Sequence, residues 1–167
     1  MKPTDGSGDF TFSRGSNLTA TRVDSNGLIE KGRENLLKQS NQFDTTWTTT
    51  NTSVTSGQSG YDGSSDAWEL EATSAGTSRY IRQGNTNSGV HTFSCYAKAG
   101  TTDFIRLQIT SANTAFTYFD LNNGTIGNEN ADTIISTIED VGSGWYRISI
   151  TASDSSISQV RIYVAQE

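Results

Sequence analysis

The sequence has few residues that cross-link or interrupt a fold: one cysteine, one proline and one histidine in 167 residues. A single cysteine excludes an intrachain disulfide and a cysteine-based zinc site, and Cys95 alternates with apolar neighbours as a buried side chain does. No apolar run follows the first lysine or approaches the roughly 20 residues that cross a bilayer. We therefore expect no signal peptide, no membrane insertion, and synthesis in a cytoplasm.

Clusters of positive charge are also absent. The chain has 12 Lys and Arg against 18 Asp and Glu residues, which gives a net charge of -6 and a pI near 4.7. A nucleic-acid surface needs clustered Lys and Arg that neutralise phosphates. The composition therefore argues against a nucleic-acid partner.

What the sequence does contain is short alternations of apolar and polar residues. These runs are DAWELEA, SRYIRQ, HTFSCYAKA, DFIRLQIT, AFTYFDL, TIISTIED, GWYRISITA and QVRIYVA. Turn-forming clusters separate them, among them TSAGTS, NTNSG, KAGTTD, NNGT and DVGSG. Only 32% of residues are hydrophobic, and Thr and Ser exceed a quarter of the chain, yet the apolar residues keep a regular strand pattern. The sequence predicts an all-β fold, an antiparallel sandwich or barrel, with at most one helical turn in KGRENLLKQSNQF.

The strand faces that point away from the predicted core carry aromatic residues beside Arg, Lys and Gln. In FSCYAKAG, for example, Tyr96 and Lys98 share a face. A sugar ring stacks its C–H face on an aromatic ring while polar side chains bond its hydroxyl rim. Such a face is predicted to bind a glycan through Tyr80, Arg82, Tyr96, Phe104, Arg106 and Gln108. The open alternative is that loops cover these rings, or that arginine stems lie over them.

The candidate catalytic groups do not form a recognisable motif. His91 has no Ser or Cys nucleophile signature beside it. Glu69 and Glu71 share a strand face about 6.6 Å apart, a spacing open to an inverting glycosidase but more typical of a solvated face. Tyr96 and Arg106 could imitate a polysaccharide lyase pair, but no Tyr–His pair accompanies them. We predict that the chain is not an enzyme.

Several ordered motifs resemble a family of tailed-phage structural proteins. FTFSRGSNLTATRVDSNGLIEKGRENLLKQSNQFDTTW is similar to their lead-in, a TRV…GLIE…NLLxxSxxF…W string that precedes a jelly-roll module. FSCYAKAG, YFDLNNGTIG and IEDVGSGWYRISITA are similar to later strands of that module. The resemblance covers Phe10 to Val164. It implies a virion protein, a tail or head fibre, whose jelly-roll β-sandwich is similar to carbohydrate-binding modules.

The first part of the chain differs from the rest. Residues 1–34 are expected to form an N-terminal arm that includes the hairpin TATRVDSNGLIEKG, with its turn at Asp24 to Gly27, and the alternative is a linker to something upstream. Residues 35–167 are expected to form the sandwich. The family pattern continues past a strand like VRIYVAQE to a closing strand, whereas this sequence ends at Glu167. An edge left open invites strand pairing, so we expect a homo-oligomer or contact with other virion proteins.

A calcium ion is implied by a second resemblance. ENLLKQSNQFDTTW is similar to the opening of xylan- and glucan-binding jelly-roll modules, where an acidic residue after the Phe helps to hold a structural calcium. This similarity places Asp44 as a candidate ligand, to which Asp62 and Asp66 of YDGSSD could contribute. A solvated turn explains those two carboxylates equally well, and calcium needs several oxygen ligands.

The sequence thus predicts lectin-like, non-catalytic binding of cell-surface or secreted polysaccharide by a bacteriophage virion protein. The alternative is a purely structural fibre, decoration or oligomerisation domain without a ligand. A jelly-roll glycosidase or lyase is a third and weaker alternative.

Overall fold

The computed structural model describes residues 21–23, 26–32 and 34–165, and these residues contain eleven strands and no helix. The all-β prediction is therefore confirmed. No helix long and apolar enough to cross a membrane occurs in these ranges. The chain divides into two compact units, Met1–Leu36 and Leu37–Glu167. Residues 1–20, 24, 25 and 33 of the predicted arm, including the first two residues of its predicted turn, lie outside the described residues.

The first unit contains a two-stranded antiparallel hairpin, as the sequence predicted. β1 (Thr21–Val23) pairs with β2 (Ile29–Lys31), and Val23 lies opposite Ile29. Arg22 and Glu30, which are also opposite each other, form an ion pair. Gly27 has a φ of 81°, a value that glycine adopts without steric cost in a tight turn.

The second unit contains the other nine strands. They are β3 (Thr48–Thr50), β4 (Thr52–Gln58), β5 (Ala67–Ala72), β6 (Tyr80–Lys98), β7 (Phe104–Thr110), β8 (Ala115–Asp120), β9 (Thr125–Glu129), β10 (Ile135–Gly142) and β11 (Trp145–Ala165). A seven-stranded sheet has the order β3-β6-β11-β7-β8-β9, with β10 added to β11. β4 and β5 form a separate two-stranded sheet. All of the pairs are antiparallel.

Two strands are much longer than the alternation predicted. β6 has 19 residues and β11 has 21, and each contains two of the predicted runs. The turn predicted at NTNSG is wrong, because residues 85–89 stay within β6 and pair with β11. Two register shifts accommodate extra residues: one on β11 between Asp154 and Ile157, and one on β6 opposite Ile157 to Gln159. Such bulges let a strand bend without ending.

The bend separates each long strand into two halves with different neighbours. The half of β11 from Trp145 to Thr151 pairs with β10, whereas the half from Gln159 to Ala165 pairs with β7. Both halves also pair with β6.

The inward side chains of both halves form one buried cluster. Ile81 of β6 and Leu107 of β7 lie on one side of the bend, and Ile148 and Ile150 of β11 lie on the other. All four have no exposed surface. Because these side chains belong to one cluster, the two halves face each other across it as a β-sandwich. Burial of each such side chain contributes about 1.5–3 kcal/mol. The jelly-roll connectivity that the resemblance implies stays a prediction.

Candidate functional site

A cavity of about 560 Å³ opens between β5 and the second half of β6. We call it the β5–β6 cavity. Within the described chain, β5 pairs only with β4, and residues 89–98 of β6 pair only with β11. The edges of β5 and β6 that border the cavity therefore make no ladder to each other. The cavity lies where these two strand edges are left unpaired.

Two tyrosines stack on each other at this cavity. Tyr61 belongs to the β4–β5 connection and Tyr96 to β6, and their ring centroids are 3.8 Å apart with planes inclined by 10°. Tyr61 is 45% exposed and Tyr96 is 41% exposed, which are high values for aromatic side chains. The pair therefore presents aromatic surface to solvent where the two strands border the cavity.

The pKa of the Tyr61 hydroxyl is raised above its ordinary value. The largest cause is a hydrogen bond with the Tyr96 side chain, and the next is the electrostatic interaction with Tyr96. Partial desolvation and the nearby carboxylates of Asp62 and Asp66 raise the pKa further. Tyr61 accordingly stays protonated at neutral pH and can both donate and accept a hydrogen bond.

The β4–β5 connection is held by hydrogen bonds around Ser64. The Ser64 Oγ bonds to Asp62 and to Asp66, and the Ser64 N–H donates to Asp62 Oδ1 over 3.0 Å. These bonds lower the pKa of Asp62. Asn41 Nδ2 donates to the other oxygen of Asp66 over 2.7 Å and so ties the connection to the loop before β3.

The three predicted calcium ligands do not come together in one group. Within the described ranges, no group of three or more His, Cys, Asp or Glu side chains is placed to hold a metal ion. Asp62 and Asp66 come together, but around Ser64 and Asn41. Asp44 lies exposed on a separate turn and does not line the cavity.

The loop before β3 forms another part of the cavity wall. Gln83 fixes its base, because its side chain accepts from Lys38 N–H and donates to Lys38 C=O, both over 2.7 Å. Phe43 packs against Trp47 and Trp68 at 5.1 and 5.9 Å between ring centroids. Trp68 Nε1 donates to the Asn41 carbonyl over 3.2 Å. This side of the cavity is therefore held by both polar and aromatic contacts.

Charged side chains of both signs line the cavity. β5 contributes Glu69 and Glu71, whereas Lys98 and Arg147 come from β6 and β11. All four are exposed, and none forms an ion pair with another described residue. Their oxygens and N–H groups are therefore open to a ligand with hydroxyl groups.

The floor of the cavity is apolar. It includes core-facing side chains from β6, β7 and β11 together with Leu121. Burial raises the pKa of the Cys95 thiol to about 12, so this cysteine is not a reactive thiolate at neutral pH.

The predicted glycan-binding residues do not share one site. Tyr96 and Phe104 line the β5–β6 cavity. Tyr80, Arg82, Arg106 and Gln108 instead occupy the outer face of the other half of the sheet, in the registers Tyr80–Tyr163–Arg106 and Arg82–Arg161–Gln108. The bend in β6 separates Tyr96 from Tyr80 and Arg82, and the sequence pattern does not reveal that bend. Phe104 and Arg106 are alternate residues of β7, and only Phe104 lines the cavity.

On this outer face, arginine side chains cover the aromatic rings. Arg106 Cζ lies 3.6 Å from the Tyr163 ring centroid, and Arg161 Cζ lies 4.7 Å from that of Tyr80. Tyr163 is only 6% exposed. On this face the arginine side chains therefore lie over the Tyr80 and Tyr163 rings, and the two rings are not open for a sugar to stack on.

Of the residues considered for catalysis, Glu69 and Glu71 are alternate residues of β5 and both line the cavity, whereas His91 and Arg106 are not among its lining residues. A ring nitrogen of His91 bonds to the Ser88 carbonyl over 3.0 Å.

Tyr61 is the member of the site that the sequence interpretation missed. The sequence of its loop, YDGSSD, indicates only two carboxylates that could bind calcium. An aromatic residue between glycines and serines, with no alternating apolar neighbours, is the signal that could have identified it. No protein-family model and no curated protein sequence matches the chain.

Proposed function

We propose that this protein is a non-catalytic polysaccharide-binding module whose glycan enters the β5–β6 cavity. The observation that carries the proposal is the exposed Tyr61–Tyr96 pair beside a cavity with an apolar floor and charged walls. A volume near 560 Å³ lies within the range of about 300–1,000 Å³ common for small-ligand sites.

The chemistry of the walls suits a sugar. A ring C–H face can pack against Tyr96 or Tyr61, and the equatorial hydroxyls can bond to the exposed charged groups. Glu69 and Glu71 accept hydrogen bonds, whereas Lys98 and Arg147 donate them. A hydroxyl does both, so walls of opposite character can bind two sides of one sugar.

The virion setting remains part of the proposal and rests on the resemblance of the motifs to tailed-phage structural proteins. Many copies on one particle would convert weak single-site binding of a host polysaccharide into firm attachment.

A second candidate, an oligomerisation module, is favoured by the unpaired edges of β5 and β6. An extended segment from another chain could pair with such an edge. Sedimentation velocity over a range of concentrations distinguishes the two, because strand pairing between chains produces a concentration-dependent oligomer.

The test is a binding panel of neutral polysaccharides, laminarin and xylan among them, with the wild type and with Y61A, Y96A and Y96F. Loss of the ring in Y96A should weaken binding about two- to tenfold, because aromatic packing contributes about 0.5–1.5 kcal/mol. Y96F keeps the ring and should bind nearly as the wild type does. Chelation with EDTA should leave affinity unchanged.

The control is V90A, which alters a residue 66% exposed at the bend of β6, outside the cavity. Equal affinity of Y96A and the wild type for every glycan that binds would contradict the proposed site. Absence of binding to any glycan would contradict the proposed function.

A further inference from the structure

Three arginines lie together on the outer face of the half of the sheet in which β11 pairs with β7, and none of them lines the β5–β6 cavity. Arg82 on β6 and Arg161 on β11 are direct cross-strand partners. Arg106 on β7 is the partner of Tyr163, two residues from Arg161. We call these three residues the arginine face. They are a quarter of the 12 Lys and Arg residues in a chain of net charge -6.

The arrangement is electrostatically unfavourable by itself. Like charges directly opposite each other destabilise an antiparallel pair, and Arg82 and Arg161 are so placed. None of the three arginines forms an ion pair with a carboxylate in the part of the chain that the structure describes. The repulsion is therefore not neutralised by the described residues.

Tyrosine rings hold two of the guanidinium groups in place. Arg106 lies over Tyr163, with the Phe116 and Tyr118 rings also within 5.4 Å of its Cζ, and Arg161 lies over Tyr80. Arg106 Nη1 donates to the Tyr118 hydroxyl over 3.0 Å, and Arg161 Nη1 donates to the Tyr163 hydroxyl over 2.9 Å. A guanidinium fixed in this way loses little conformational entropy when it binds an anion.

Donor groups remain on all three side chains. A guanidinium has five N–H donors, and Arg82, like the other two, uses only Nη1, here toward Gln159 over 3.1 Å. The Nε atoms of Arg106 and Arg161 are buried without a partner, but their Nη2 atoms are not among the buried ones. The Nη2 groups make no hydrogen bond to a described residue and can meet a ligand.

We propose that Arg82, Arg106 and Arg161 form a binding site for an oxyanion, a sulfate, phosphate or carboxylate group. Arginine pairs with such groups through two parallel N–H···O bonds, and an anion would neutralise the Arg82–Arg161 repulsion. None of the three arginines lines the β5–β6 cavity, although Arg106 lies over Tyr163, which does, and the proposal does not require glycan binding in the cavity. The anion is either a free ion or an acidic substituent of a polymer.

The test compares R82Q and R161Q with R22Q, a control that removes an arginine of the β1–β2 hairpin, where it pairs with Glu30. Millimolar sodium sulfate should raise the unfolding temperature of the wild type more than sodium chloride at equal ionic strength. R82Q and R161Q should lose this extra increase, with sulfate affinity about tenfold weaker, whereas R22Q should keep it. An equal sulfate effect in all four proteins, or none in the wild type, would overturn the proposal.

A second readout excludes a merely structural role. Arg82 is exposed, so R82Q should fold, and without sulfate it should unfold at a higher temperature than the wild type because a like charge is gone. A lower unfolding temperature would count against the repulsion on which the proposal rests.

The source of the anion is identified by titration with dextran sulfate, polygalacturonate and neutral dextran. Binding of either charged polymer that is lost in R161Q identifies an acidic glycan. An effect of inorganic sulfate alone identifies a free ion. Binding of neutral dextran that R161Q retains, without any sulfate effect, would contradict an oxyanion site.

Discussion

Asp154 shows how one side chain can stabilise an irregular part of this fold. It lies at the first register shift of β11, where ladder hydrogen bonds are interrupted. Its carboxylate accepts hydrogen bonds from Ser111 Oγ over 2.7 Å, from Asn113 N–H over 3.2 Å and from Ser156 N–H over 3.1 Å. These bonds lower its pKa from 3.8 to about 2. The carboxylate thus connects the bulge to the β7–β8 turn.

The lowered pKa predicts a pH dependence for D154N. Because the folded-state value lies below the unfolded one, the ionised carboxylate stabilises the protein. This contribution is complete above 3.8 and is lost as the pH falls through about 2. The difference in unfolding temperature between wild type and D154N should therefore be largest above that range and shrink toward its lower end. Thermal unfolding at several pH values measures it, and a difference that does not change with pH would contradict the assignment.

Residue patterns in the sequence predicted the components of the site better than their grouping. Tyr96 was identified because an exposed aromatic beside Lys98 is unusual on a solvated strand face. Its partner Tyr61 lies far away in the sequence, and no local pattern reports a stack between two such residues. Alternation along β6 assigned Tyr80 and Tyr96 to one face, but it does not reveal that the strand bends between them.

At the level of elements, the strand periodicity was reliable where apolar residues alternate strictly. All eight predicted runs lie in strands, although they form only six of them. β4 and β9 were missed because TSVTSGQ and TIGNE contain too few apolar residues to show a period. NTNSG was interpreted as a turn because its residues favour turns, whereas pairing with β11 keeps it extended.

The turn between β8 and β9 depends on a glycine. Gly124 has a φ of 66°, and a Cβ there would come within 2.8 Å of Tyr146 Cε1. G124A should therefore combine the cost of a left-handed alanine with overpacking, together about 2–4 kcal/mol of lost stability. Gly57 has a φ of 83° with nothing within 4 Å of the added Cβ, so G57A carries the first cost alone. Urea unfolding of both variants measures the difference, and equal losses would show that Tyr146 moves aside freely.

Across the whole molecule, stability should be distributed unevenly. β6 and β11 pair with each other over most of their length and contribute the fully buried residues Ile81, Ile148 and Ile150. Among the residues that the structure describes, β4 and β5 pair only with each other, and the cavity lies at the outer edge of β5. Local opening is easiest where few neighbours hold an element.

Hydrogen exchange tests this distribution. Amides in the paired parts of β6 and β11 should exchange slowest, at the rate of global unfolding, and amides of β4 and β5 should exchange faster. Mass spectrometry of peptides from the exchanged protein measures both sets. Equal protection of the two sets would mean that the β4–β5 sheet unfolds together with the main sheet.

The two long strands also determine how the protein carries force. Since β6 and β11 each run from one layer of the sandwich into the other, the layers are joined by continuous backbone as well as by side-chain packing. A pull on β10 passes through the β10–β11 hydrogen bonds, along the backbone of β11 and through the β11–β7 hydrogen bonds to β7, without depending on the apolar contacts between layers. The layers therefore cannot slide apart as separate plates while β6 and β11 stay extended from one layer into the other.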